Sequence, residues 1–201
     1  MAISTIIFDL GGVLVKHNPE TCFDKLHYSS QDQEFITSLL RSGHLFDDLD
    51  LGLYDTYQEV LDSIYLKYPE KQEILKGFFL SGFMEEYDTY EKGLSLLKEF
   101  KQKGYTILFL TNFSKDGMKR LKARFDFFSL ADGIVCSCDV HLLKPDSRIY
   151  RLLVEKYDLF MDECLFLDDR RENVEAAIKL GFNGIIYDEK TIDSELQKYG
   201  L

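Results

Sequence analysis

Apolar residues along this chain fall into two periodicities. Ile6-Ile7-Phe8, Ile107-Leu108-Phe109-Leu110 and Leu165-Phe166-Leu167 are short unbroken runs of β-forming residues, the pattern of strands buried on both faces. Each run stops on polar groups: Asp9 followed by the Gly11-Gly12 pair, Thr111-Asn112, and Asp168-Asp169. Two further strands are predicted near 133–136 and 184–187. Helical spacing predicts helices over 91–103, 115–125, 146–157, 172–180 and 192–199, with Gly104 and Gly181 as C-terminal stops. Alternating strands and helices of this length predict a parallel sheet with helices on both faces and right-handed crossovers. In such sheets the carboxyl ends of the strands share the edge where ligands bind, so the polar run-ends are expected to meet there.

Between the first run and Glu91 the pattern changes. Phe35, Ile36, Leu39 and Leu40 make one helical stripe, and Tyr57, Val60, Leu61, Ile64, Tyr65 and Tyr68 make a second that Pro69 ends. The stretch from Arg41 to Gly52 reads as a polar loop, and no strand is expected in the segment. The organisation predicted is an α/β core of residues 1–16 and 90–201, Rossmann-like with a parallel sheet, carrying an inserted small α-helical domain over 17–89.

At 201 residues and 45% hydrophobic content, the chain suits one globular core with a modest second unit. Its 35 acidic against 24 basic residues give a formal charge of -11, which opposes binding to nucleic acid or an anionic membrane. Phosphate remains compatible with an acidic chain when a metal and a lysine reverse the local field. Cys22, Cys136, Cys138 and Cys164 show neither CxxC nor a zinc-ligand repeat and read as buried free thiols, which fits a reducing compartment. No basic stretch precedes the first apolar run, and Asp9 interrupts it, so neither a signal peptide nor a membrane span is expected and a cytoplasmic location is.

Taken singly, the polar residues have ordinary readings. Asp9 could cap a turn, Lys144 could be an exposed lysine before a proline at the start of a helix, and Asp168 and Asp169 could favour a helix N-terminus. Two adjacent aspartates at a buried strand end repel one another, however, and a divalent cation relieves that. In order and spacing, Phe8-Asp9-Leu10-Gly11-Gly12-Val13-Leu14, Leu110-Thr111-Asn112, Lys144-Pro145-Asp146 and Asp168-Asp169-Arg170-Arg171-Glu172-Asn173 resemble the four motifs of the haloacid dehalogenase superfamily. The insert falls where that family carries its first cap domain. Within the family, the Asp-Leu-Gly opening is similar to that of the glucose-1-phosphate phosphatase-like sugar-phosphate phosphatases.

The resemblance implies a magnesium-dependent phosphatase acting on a small phosphorylated metabolite, with Asp9 as nucleophile forming an aspartyl-phosphate that water hydrolyses. It implies Mg2+ held by Asp9, Asp168, Asp169 and the backbone carbonyl of Gly11. Thr111 and Asn112 are expected to bond phosphate oxygens together with amides at Gly11-Gly12. Lys144 would balance the charge of Asp9 and the phosphoryl group, and Asn173 would orient a metal carboxylate or its water. Most phosphatases of the family carry a second aspartate two residues after the nucleophile as general acid and base, and here that residue is Gly11. A leaving group of low pKa, a slow enzyme, or an acid supplied by the cap would account for this, with His44 the first candidate. The Asp47-Asp48-Asp50 cluster reads as a solvated loop. Two rivals stand beside the phosphatase: a metal-free dehalogenase using Asp9 against carbon, and a catalytically weak phosphate-binding protein. The sequence does not choose between monomer and homodimer.

Overall fold

In the computed structural model, the backbone is described for residues 2–17, 19–41, 44–82 and 87–201, and side chains for those residues except 17, 19–21, 41, 44–46 and 82. Five strands form one sheet: β1 (Thr5–Phe8), β4 (Thr106–Thr111), β5 (Gly133–Cys136), β6 (Cys164–Asp168) and β7 (Asn183–Ile186). Their order is β5-β4-β1-β6-β7 and every pairing is parallel. Thus β1 is central, and the chain builds outward on one side of it before crossing to the other. Phe8 is level with Phe109 and with Leu167, so Asp9, Leu110 and Asp168 follow at one height.

The alternation of side chains along each strand divides the core into two layers. Ile6, Phe8, Ile107, Phe109, Leu165 and Leu167 pack on one face with Leu97 and Phe100 of the helix Glu91–Gln102, Leu121 of Lys115–Arg124 and Leu196 of Ile192–Gln197. Ile7, Leu108, Leu110 and Phe166 face the other way, against Ile149, Tyr150 and Leu153 of Ser147–Tyr157 and Ala177 of Arg171–Leu180. The Rossmann-like α/β class is therefore the observed one. Ser114 and Asp146 cap their helices by accepting from Gly117 N (3.2 Å) and Arg148 N (2.9 Å).

The helical segment leaves and rejoins the sheet domain through an antiparallel ribbon, β2 (Val15–His17) against β3 (Tyr87–Thr89). This corrects the expectation of no strand there. Three residues a side are too few to show a periodicity, and their pairing is set by the meeting of distant segments. The two helical stripes lie on Ser30–Arg41 and Tyr57–Lys67, whose Ile36, Val60, Leu61 and Ile64 join the first core layer. The stretch read as a polar loop instead contains the helix His44–Asp50, anchored by fully buried Leu49. Its sequence is too short and too acidic to display a stripe. Pro69 opens a single 3-10 turn, Pro69–Lys71.

Candidate active site

The first turn after β1 sets the position of Asp9. Leu10 O accepts from Leu14 N (2.9 Å) and Val15 N (2.8 Å), and Gly12 N donates to Val15 O (3.0 Å), folding the chain back on itself beside the carboxylate. Leu10 N donates to Asp9 Oδ1 (2.7 Å) and fixes the side chain. Gly12 has φ +72°, and a Cβ there would stand 2.3 Å from Asp169 Cγ, so the turn and the Asp169 carboxylate are fitted to each other.

Lys144 joins the strand ends. Its ammonium lies 2.9 Å from Asp9 Oδ1 and 2.6 Å from Asp168 Oδ2 and donates to Leu110 O (2.9 Å), so it touches the ends of β1, β4 and β6 together. Lys144 is 3% exposed and Asp168 0%, which excludes the reading of Lys144 as a surface lysine. Nor does Pro145 start the following helix; Asp146 is the N-cap, and the helix runs from Ser147. Asn173 Nδ2 donates to both oxygens of Asp168 (3.0 Å each), and Arg170 N donates to Oδ1 (2.8 Å). With Lys144 on Oδ2, the Asp168 carboxylate is surrounded by donors and held rigidly. Asp9, Asp168 and Asp169 place ligand oxygens within 4.8 Å of one another.

The electrostatics follow from this crowding. Burial pushes the Asp9 carboxyl up to about 7; Asp168 and Asp169 add to the rise, and Lys144 opposes it. Burial alone would lower Lys144, but Asp9 and Asp168 outweigh it and hold the ammonium above its ordinary range. Partial desolvation and the neighbouring Asp168 also raise Asp169. Three carboxylates face one ammonium, and that excess of negative charge with oxygen-only donors fits a hard divalent cation.

The remaining predicted residues divide. Thr111 is buried at the end of β4, and among the described residues its Oγ1 has no hydrogen-bond partner. Asn112, expected on phosphate, uses both ends of its side chain elsewhere: Nδ2 donates to Lys144 O (3.0 Å) and Oδ1 accepts from Lys144 N (2.8 Å). It brackets the lysine loop, a role that spacing along the sequence could not reveal. Gly11 has open space where a side chain would be. His44 begins its helix, but its side chain lies outside the described residues.

The sequence pattern does not single out one further acidic residue near these groups. Asp50 is half-buried, not solvated, and its carboxyl feels the charges of Asp9 and Lys144. Burial, aided by Asp47 and Asp9, pushes it up to about 7. The available signal was its place between Leu49 and Leu51, which an acidic run obscured. The flanking segment is tied to the strand ends: His141 Nδ1 lies 2.7 Å from Leu51 O, and Tyr57 Oη lies 3.1 Å from Ser114 Oγ.

Sesquiterpene phosphatase astK of Aspergillus oryzae is 33% identical over 91 residues, 45% of this chain and 46% of that protein. (S)-2-haloacid dehalogenase 4A of Burkholderia cepacia is 23% identical over 116 residues, 58% of this chain and 50% of that one. The chain spans less than two thirds of the length of each of these curated relatives, 46% and 50% respectively. A haloacid dehalogenase family enzyme of Bacteroides thetaiotaomicron, in complex with magnesium and inorganic phosphate, shares the fold at a TM-score of 0.75 and 20% identity, over 94% of this chain and 96% of that chain. The profile of the haloacid dehalogenase-like hydrolases matches residues 3–181, a span that takes in Asp9, Thr111, Lys144 and the Asp168-Asp169 pair, and the chain belongs to that family of hydrolases.

Proposed function

We propose that the chain is a magnesium-dependent phosphatase of a small phosphorylated metabolite, with a sugar phosphate as the favoured class, working through an aspartyl-phosphate on Asp9. The observation that carries this reading is the buried Asp9–Lys144–Asp168 contact with Asp169 beside it. Phosphoryl transfer needs an in-line nucleophile and positive charge around the phosphoryl oxygens, and this set supplies the first and part of the second. The phosphatase among the relatives and the magnesium-phosphate complex of the Bacteroides enzyme support the same direction.

Asp9 attacks phosphorus and holds the phosphoryl group until water displaces it. Lys144 keeps Asp9 aimed, and its charge favours the dianionic substrate over bulk anions of lower charge. Thr111 Oγ1, without a partner among the described residues, donates to a phosphoryl oxygen. Asp9, Asp169 and the Gly11 carbonyl would hold the cation, while Asp168 keeps Lys144 in place. A divalent cation held there would supply the remaining positive charge around the phosphoryl oxygens. Residues 17–89 act as a cap on the core of 1–16 and 90–201 and exclude water during the first step.

Phosphate release from a panel of phosphorylated metabolites, with and without magnesium, tests the reading. We expect release that requires magnesium and is lost in Asp9→Asn. Halide release from 2-haloacids without magnesium would replace it with the dehalogenase reading, and phosphate affinity without turnover would replace it with a binding role.

A further inference from the structure

We infer that Asp50, at the end of the helix His44–Asp50, is the proton donor to the leaving group and the proton acceptor from water in the reaction proposed above, on which this inference rests. The groups around Asp9 leave that role open. Gly11 has no side chain, and Lys144 is held by Asp9, Asp168 and Leu110 O. Asp168 is saturated by Lys144, Asn173 and Arg170 N. Asp169 lies against Gly12 and is assigned to the cation in the reading above. Asp50 differs from all of these. Among the described residues its carboxyl enters no hydrogen bond or ion pair, yet it is near enough to Asp9 and Lys144 for each to act on its charge.

The backbone that carries Asp50 is fixed to the carboxyl edge of the sheet at several points. Leu51 O meets His141 Nδ1 in the segment after β5. Gly52, at φ +71°, comes so close to Cys138 O that a Cβ would stand 2.3 Å from it. Five residues on, Tyr57 Oη meets Ser114 Oγ after β4. These contacts tie the end of the helix to the segments that follow β4 and β5, and they leave the Asp50 carboxyl within the electrostatic reach of Asp9 and Lys144.

The charged and titratable groups facing Asp50 are Asp47 on its own helix, Asp9 and Lys144 across the site, and the Tyr57 and Tyr87 phenols. With its carboxyl pushed up to about 7 by burial, Asp50 exchanges a proton readily near neutrality. In the first step an Asp9 oxygen bonds to phosphorus while the bond from phosphorus to the leaving oxygen breaks. That oxygen keeps the electron pair and takes the Asp50 proton, leaving as the alcohol. In the second step Asp50 carboxylate takes a proton from water as the water oxygen bonds to phosphorus. The bond to Asp9 then breaks, releasing phosphate and restoring both carboxyl groups.

The test compares wild type, Asp50→Asn and Asp50→Glu on an alkyl phosphate and on a nitrophenyl phosphate, with magnesium present. Asp50→Asn should lower kcat/KM about 10²–10⁴-fold for the alkyl ester and far less for the nitrophenyl ester, whose leaving group departs without a proton. Asp50→Glu should recover part of the loss. Inhibition by inorganic phosphate should be retained, showing that the variant site is folded. Wild type itself gives a second readout needing no variant: kcat/KM for the alkyl ester falls as pH rises past about 7, and that for the nitrophenyl ester does not. Equal losses on both esters, no loss, or pH profiles that share the alkaline limb would overturn the role of Asp50 and leave the phosphatase standing. Absence of phosphate release by wild type from every ester would overturn the phosphatase reading first.

Discussion

The Asp9 carboxyl is the residue on which opposing forces are most evenly set. Burial and two neighbouring acids raise it to about 7 from an ordinary 3.8, while Lys144 draws it down. A carboxyl raised on folding binds its proton more tightly in the native state than in the unfolded one. Its stabilising contribution is therefore complete below 3.8 and disappears as pH rises through about 7. Cation-free protein should melt at progressively lower temperature from mildly acidic to mildly alkaline pH. Asp9→Asn, which cannot ionise, should show a shallower fall, and magnesium should raise the wild-type melting temperature most at the alkaline end. Scanning calorimetry across this range checks the account, and parallel curves for wild type and Asp9→Asn would count against it.

At the scale of elements, the turn after β1 couples backbone shape to site chemistry. Gly12 occupies the left-handed region and leaves no room for a side chain under Asp169. Gly12→Ala should cost about 1–3 kcal/mol through backbone strain and should also displace the Asp169 carboxylate. The expected signs are a lower melting temperature together with weaker magnesium activation in a titration; an unchanged magnesium midpoint would mean that Asp169 does not hold the cation. The elements that were legible in the sequence are those whose pattern is intrinsic. The apolar runs of β1, β4 and β6 are buried on both faces and can be read directly, and the helices following them carry clear stripes. The ribbon of β2 and β3 exists only because two distant tripeptides meet. The helix His44–Asp50 is held by one buried leucine and by contacts to the far side of the chain, neither of which leaves a periodic trace.

For the molecule as a whole, the helical segment and one face of the sheet share a single apolar layer, with Ile36, Val60 and Leu61 in the same cluster as Phe8 and Phe109. Leu49 belongs to the same cluster, and beside it Asp50 feels the charge of Asp9. The site residues from the sheet were legible because each ends an apolar run or sits in a recognisable motif. Asp50 was not, since its meaning depends on how the insert folds back, and chemistry type alone favoured His44. Among the described residues no helix is long and apolar enough to cross a membrane. The central claim is that Asp9 carries the phosphoryl group between the two steps. Acid-quenching the enzyme during turnover of a phosphate ester and analysing its peptides by mass spectrometry tests this most directly. The account predicts a single phosphoryl adduct on the peptide containing Asp9, absent in Asp9→Asn; an adduct confined to another peptide would contradict it.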